Sequence, residues 1–328
     1  MGSTDKKKAK EKLNIGKKSL KMNRFLSPTE VNRPLLEITI QKVIGETPRL
    51  EQDRVALEEP LEIQLVYGAV DTRVTKSITV TMRTPGHDSE LAAGFLLTEG
   101  VIRDPADIVD IFNPLEEGRA EHEAAAATAS DSFLPSASRL NVVRVELAPD
   151  IQVNMSSLER NFYTTSSCGI CGKASLLALR SVCPPRLKNN FSIHAEMLYT
   201  LPERMRSAQS IFDKTGGLHG AGLFDSEGKL LGLREDVGRH NAVDKLLGAQ
   251  FLADCTPLRD KLLLLSGRVS FELLQKTVMA GLPMVAAVGA PSSLAVQVAR
   301  EFDITLVGFL RDNRFNIYHG ADRVSVGL

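Results

Sequence analysis

Two cysteines separated by two residues, Cys168 and Cys171, stand in the stretch T-T-S-S-C-G-I-C-G-K-A-S-L of residues 164–176. Gly169 and Gly172 leave the backbone bare beside them, and the run K-A-S-L-L-A-L-R from Lys173 to Arg180 reads as helix. The pair is therefore expected just before a helix or in its first turn. Unpaired amides and the positive end of the helix dipole favour anions there. A cysteine in such a place is more often thiolate, the nucleophilic form. Lys173 adds a positive charge nearby.

Several chemistries need such a pair. A zinc site requires about four ligands, and Cys183 and Cys255 form no second C-x-x-C. A dithiol redox pair wants a helix after its first cysteine, which is expected here, but the pair lies late in the chain and not at the end of a first βα unit. A persulfide carrier would take a sulfane sulfur on the thiolate and hand it to an acceptor. Purely structural cysteines are the fourth reading. Local chemistry leaves these open. Cys183 and Cys255 read as helix-end or core residues.

Other polar groups are dense enough to matter. Residues 215–223 read T-G-G-L-H-G-A-G-L and place His219 among glycines. No G-K-[ST] follows, so this is not a Walker loop, although bared amides could meet a phosphate. Residues 235–245 read E-D-V-G-R-H-N-A-V-D-K and gather Asp236, Arg239, His240 and Asn241 at an expected helix start. His219 and His240 suit either capping and core hydrogen bonds or ligand contact and proton handling. Phe309, Leu310, Arg311, Asp312, Asn313 and Arg314 follow the last expected strand. Guanidinium forks pair with phosphate; the alternative is solvated charge on a turn. His122, between Glu121 and Glu123, has nothing nearby to complete a metal site, and no metal is expected.

The elements that must position these groups follow from periodicity. Folding is expected to begin near Pro60. Leu61, Ile63 and Leu65, then Val74, Ile78, Val80 and Met82, alternate as a hairpin. A helix follows from Asp88 or Ser89 to Gly100, a short helix-to-strand passage spans 105–112, and a strand covers 140–147. A helix over 195–210, a hairpin around Ser226, Glu227 and Gly228, and a helix opening at Glu235 and running to about Cys255 come next. Residues 262–265, 270–280, 284–288, 292–302 and 304–309 then alternate strand, helix, strand, helix, strand. Such short crossovers imply parallel strands joined right-handedly, with ligands gathered at their carboxyl ends. The expected class is α/β (α+β overall): a basic, disordered tail at 1–34, a β-rich part at 35–150 with a surface insertion at 116–139, and a layered domain at 151–328.

Composition narrows the classes. The 328 residues are 43% hydrophobic and 24% charged, enough for a sizeable core. The formal net charge is zero, which gives no global argument for nucleic acid or an acidic partner, and no nucleic acid is expected. Four cysteines are too few for a disulfide scaffold. The lysines at the start are not followed by an apolar run, so no signal peptide is expected. No run is long enough to span a bilayer, and a cytoplasmic protein is expected.

The motifs in their order resemble the FdhD family, the formate dehydrogenase accessory sulfurtransferases. The resemblance rests on S-S-C-G-I-C-G-K at 166–173, E-D-V-G-R-H-N-A-V-D-K at 235–245, S-G-R-V-S-F-E at 266–272, A-G-L-P at 280–283 and L-V-G-F-L-R ending at Arg311. It covers residues from about Pro60 to Tyr318. It implies a cytidine-deaminase-like main domain and a sulfur carrier between a cysteine desulfurase and the molybdenum cofactor, bis(molybdopterin guanine dinucleotide), bound as substrate and passed to formate dehydrogenase. Cys168 would bear the persulfide and Cys171 would assist. Phe309, Leu310, Arg311, Asp312, Asn313 and Arg314 would line the cofactor's nucleotide site. Family members are often dimers, so a homodimer is expected. Deaminase chemistry is not, because no H-x-E accompanies the cysteines. A cofactor-binding chaperone and a dithiol oxidoreductase are the alternatives.

Overall fold

The computed structural model describes residues 34–114, 141–149, 151–153, 179–180, 183 and 190–327. Cys168, Cys171, Lys173, the 116–139 insertion with His122, and the lysine-rich start lie outside the described residues.

Order begins earlier than Pro60. Strands β1 (Leu35–Ile44) and β2 (Thr47–Ala56) form an antiparallel ribbon closed by a turn at Gly45 and Glu46. Gly45 has φ +60°, the conformation that the first centre of a two-residue hairpin turn requires. Most of the ribbon is exposed, Leu50 at 78%. Its apolar alternation is brief, Leu36, Ile38 and Ile40 between Glu37, Thr39 and Gln41, and β2 carries none, so periodicity passes over the ribbon.

Strands β3 (Glu59–Tyr67) and β4 (Val74–Arg83) form the expected hairpin. Helix α1 (Asp88–Thr98) follows, with Asp88 and Glu90 in its first turn complementing the helix dipole. Strands β5 (Ile108–Phe112) and β6 (Val142–Leu147) complete a four-stranded sheet of order β4-β3-β6-β5, in which β3 and β6 are parallel. Leu61, Ile63 and Leu65 of β3 and Val143, Val145 and Leu147 of β6 pack with Leu91 and Leu96 of α1.

After the short strand β7 (Ile193–His194) come α2 (Ala195–Ala208) and α3 (Ser210–Thr215), then β8 (His219–Phe224) and β9 (Leu230–Asp236). The helix expected from Glu235 is α4 (Arg239–Leu252). Glu235 and Asp236 instead end β9, because the Asp236 carboxylate accepts the Gly238 N–H at 2.8 Å and turns the chain before the helix starts. The rest runs β10 (Leu262–Leu265), α5 (Phe271–Met279), β11 (Met284–Ala287), α6 (Ser293–Glu301), β12 (Thr305–Arg311), β13 (Arg314–His319) and β14 (Val324–Ser325).

The main sheet has the order β13-β12-β11-β10-β8-β9. β10, β11 and β12 are parallel as expected, but β8 and β13 flank them antiparallel. The consecutive leucines of β10 serve both faces. Leu263 and Leu265 meet α4, α5 and α6 residues such as Leu246, Leu273 and Val298, whereas Leu262 and Leu264 meet Leu201 and Met205 of α2. Full burial of each leucine contributes about 2 kcal/mol, so the strand cannot slip by one residue cheaply.

Helices α1 and α4 lie backbone against backbone. A Cβ on Gly94 would sit 1.9 Å from the Asp244 carbonyl oxygen, and one on Gly248 would sit 1.8 Å from that of Glu90. Two adjacent charges of α4 are buried beside this crossing. Lys245 pairs with Asp236 at 2.7 Å and Lys276 of α5 pairs with Asp244 at 2.9 Å. Thr98 of α1 donates to Asp244 and accepts from Lys276, each at 3.0 Å.

Candidate functional site

The carboxyl ends of the three parallel strands are continued by backbone hydrogen bonds. Gly289 N–H donates to Gly267 C=O at 3.1 Å, and Phe309 N–H donates to Gly289 C=O at 3.0 Å. Ser266 is fixed to β8, its hydroxyl accepting Gly220 N–H at 2.9 Å. Gly289 and Gly308 are required by packing. A Cβ would meet Gly267 C=O at 2.8 Å in the first case and Pro291 Cδ at 2.9 Å in the second.

Beyond this ledge the chain turns at Phe309, which takes φ +55°, and then makes a two-residue hairpin at Asp312 and Asn313, both left-handed. Leu310 is buried in the core with Val307, while Arg311, Asp312, Asn313 and Arg314 are exposed. Arg311 and Arg314 are cross-strand partners. Like charges directly opposite each other are unfavourable, and neither arginine has an ion pair among the described residues. The tip is thus a pair of guanidinium groups available to an anion, which fits a phosphate-bearing group.

A second set of polar side chains meets at the same end of the sheet. His219 opens β8, Arg239 and His240 open α4, and Ser270 and Glu272 stand at the start of α5. The Ser270 hydroxyl makes no capping bond to α5 and lies 3.4 Å from His240 Nε2. Glu272 is 4.0 Å from the same nitrogen. Burial, then the positive charges of Lys276 and Arg239, hold His240 down at about 4. Burial and then Arg239 also lower His219. Both imidazoles are neutral near pH 7, able to donate from one nitrogen and accept at the other.

Of the four polar residues that sequence groups at the α4 start, His240 is the one whose ring reaches Ser270 and Glu272. Asn241 donates to Met82 C=O at 2.7 Å and to Asp236 at 3.1 Å, and accepts from Thr81 at 3.1 Å. Asp236 and Asn241 therefore lock α4 to β4 and do not face a ligand. Ser270 and Glu272 escaped sequence reasoning as site residues. Both lie in the S-G-R-V-S-F-E motif at 266–272, where a serine is placed to cap a helix, but its approach to His240 depends on tertiary contact. Cys183 is partly buried against the core and Cys255 is exposed. Among the described residues, no His, Cys, Asp and Glu group suits a metal ion, and no helix is long and apolar enough to cross a membrane.

The model of the FdhD/NarQ family matches residues 56–325, most of the chain. The chain belongs to the FdhD/NarQ family. Its FdhD relatives include the sulfur carrier protein FdhD of Streptomyces coelicolor, 49% identical over 276 residues, covering 84% of this chain and 90% of that protein. The protein of the same description from Mycolicibacterium paratuberculosis is 50% identical over 273 residues, covering 83% and 92%. That of Sulfurisphaera tokodaii is 39% identical over 287 residues, covering 88% and 98%. A crystal structure from Desulfotalea psychrophila, described as a formate dehydrogenase accessory protein, matches with a TM-score of 0.62 at 21% identity, over 89% of this chain and all of that one. That likeness bears out the α/β fold. Both the arginine hairpin and the histidine crevice lie within the family match, and the β1–β2 ribbon lies before it apart from Ala56.

Proposed function

We propose that this chain is a cytoplasmic sulfurtransferase acting as a sulfur carrier in the maturation of a formate dehydrogenase. The observation that carries the reading is the S-S-C-G-I-C-G-K stretch in a chain whose FdhD relatives are named sulfur carriers. Cys168, as thiolate, attacks the outer sulfur of a cysteine desulfurase persulfide. A new S–S bond forms at Cys168, the old one breaks, and the desulfurase cysteine leaves as thiolate, so charge and sulfur balance. Cys171 assists, and Lys173 favours the anionic form.

The acceptor is the molybdenum cofactor in its bis(molybdopterin guanine dinucleotide) form, bound as substrate. Phe309, Leu310, Arg311, Asp312, Asn313 and Arg314 hold its nucleotide part. Support comes from the exposed Arg311–Arg314 pair, whose forks match phosphate oxygens. Leu310 serves by packing, its side chain being buried, and the left-handed Phe309, Asp312 and Asn313 set the loop that presents the arginines. The working unit is a homodimer.

The test is transfer of isotopically labelled sulfur from a persulfide-loaded desulfurase, read by mass spectrometry of the intact chain. Cys168→Ala should carry no labelled sulfur, and a full load on that variant overturns the assignment. Formate dehydrogenase activation that survives replacement of both Cys168 and Cys171 would instead make the chain a cofactor chaperone. Reversible Cys168–Cys171 disulfide turnover with a dithiol and no sulfur load would make it an oxidoreductase.

A further inference from the structure

The β1–β2 ribbon has one strongly apolar face. The register of the two strands pairs Leu36 with Val55, Ile38 with Asp53, Ile40 with Glu51, Lys42 with Arg49 and Ile44 with Thr47. Residues directly opposite each other share a side of the sheet, and so do every second pair along it. These five pairs therefore make one face. Its aliphatic side chains, Leu36, Ile38, Ile40, Ile44 and Val55, pack against none of the three core clusters. Leu36, Ile44 and Val55 are 39%, 62% and 36% exposed. A two-stranded ribbon is marginal in water unless something packs on it. The charges on the face decide what fits. Lys42 is taken by Glu51, at 3.0 Å. Arg49 and Asp53 are exposed and have no ion pair among the described residues. They are of opposite sign and stand two residues either side of Glu51 on β2.

We propose that this face docks a second copy of the chain, the two ribbons stacking face to face with Arg49 of each on Asp53 of the other. The fit is self-complementary, as a two-fold interface requires. Turning the second ribbon end for end about the Glu51 level brings each Arg49 to an Asp53, twice over. It also lays each Ile44 on the Leu36 and Val55 end of the other copy. Stacking the ribbons in the same direction instead sets the Lys42 and Arg49 level of one copy on that of the other, where like charges repel. The strands are ten residues long. At about 33 Å by about 10 Å, the two faces together cover roughly 650 Å². A stable complex covers about 1,200 Å² or more, so this contact is reversible, and its exposed charges make it weaken with salt. The inference rests on the homodimer reading above, whose contact it names, and not on sulfur transfer.

The experiment is sedimentation equilibrium of the full chain over a concentration series, with circular dichroism to check that each variant folds. Arg49→Glu alone, or Asp53→Arg alone, turns both contacts repulsive and should weaken dimerisation on the order of tenfold or more. Mixed one to one, the two single variants should associate with each other, because every pair across the interface is then of opposite sign. The double variant should recover self-association for the same reason. Ile44→Asp should weaken the dimer, whereas Leu50→Ser, on the opposite face of the ribbon, should leave it unchanged. Dimerisation unmoved by Arg49→Glu and Ile44→Asp overturns the ribbon contact and keeps the homodimer. Mixed variants that do not associate, or a dimer that Leu50→Ser weakens as much as Ile44→Asp does, also overturn the contact. A wild-type chain that is monomeric at every concentration overturns both.

Discussion

Removing the Lys245 ammonium should destabilise the protein by about 3–5 kcal/mol, the cost of leaving a buried charge without its partner. The side chains of Lys245 and Asp236 are 1% and 0% exposed. Lys245 Nζ bonds the Asp236 carboxylate and the Thr84 carbonyl, both at 2.7 Å. In Lys245→Met the carboxylate keeps three hydrogen bonds, from Thr84 N–H at 3.1 Å, Gly238 N–H at 2.8 Å and the Asn241 amide at 3.1 Å. It loses its only ion pair among the described residues. Adding Asp236→Asn removes the orphaned charge, and the amide oxygen can still accept from Gly238. The double variant should therefore be more stable than Lys245→Met alone, by about 2 kcal/mol. The assay is urea unfolding followed by circular dichroism. With a slope of about 3 kcal/mol/M, Lys245→Met should lower the midpoint by about 1–1.7 M. A loss below about 1 kcal/mol, or a double variant no more stable than the single, would refute this account of the pair.

Gly248→Ala should cost about 2–3 kcal/mol, the upper range for overpacking, because the new Cβ meets backbone and not a side chain that can turn away. It would lie 1.8 Å from the Glu90 carbonyl oxygen and 2.7 Å from Gly94 N, so α1 and α4 must part. A melting temperature equal to the wild type would contradict that close approach. Glu90 carries a pH dependence. Burial pushes its carboxyl up, but hydrogen bonds from Arg234 and His87 prevail and leave it at about 2. A folded value below the unfolded one means stability present above the ordinary carboxylate value of 4.5 and lost as pH falls from there towards about 2. The contribution is at most about 3 kcal/mol. Glu90→Gln should be less stable than the wild type near neutrality, and the difference should shrink towards about pH 3 in chemical unfolding. A gap that stays constant with pH would mean that the Arg234 contact carries no net charge effect.

Much of the scaffold was legible because local rules agree with the global fold there. Leu262–Leu265, the helix of Phe271–Met279 and the strands on either side follow one after another, each buried by its neighbours in sequence. The β1–β2 ribbon was not, since Leu36, Ile38 and Ile40 alternate only briefly and the polar β2 opposite them, with Leu50 exposed, carries no apolar period. The flanking antiparallel strands were also hidden. Pairing direction depends on which strand ends up beside β10, and that is a matter of topology.

The sequence by itself determined the family, through ordered motifs, and singled out two residue sets: a C-x-x-C pair expected to be reactive and a loop of two arginines. Residue types at short spacing are enough for both. Only the tertiary structure divided E-D-V-G-R-H-N-A-V-D-K between two jobs. Asp236, Asn241, Asp244 and Lys245 are consumed by partners that hold α4 to β4, α1 and α5, whereas His240 reaches the Ser270 hydroxyl at the start of α5. The partners that decide this are remote, Thr84 lying 161 residues from Lys245 and Thr98 lying 146 from Asp244. Whether a charge holds the fold or waits for a ligand depends on what is packed against it, and spacing along the chain does not carry that information.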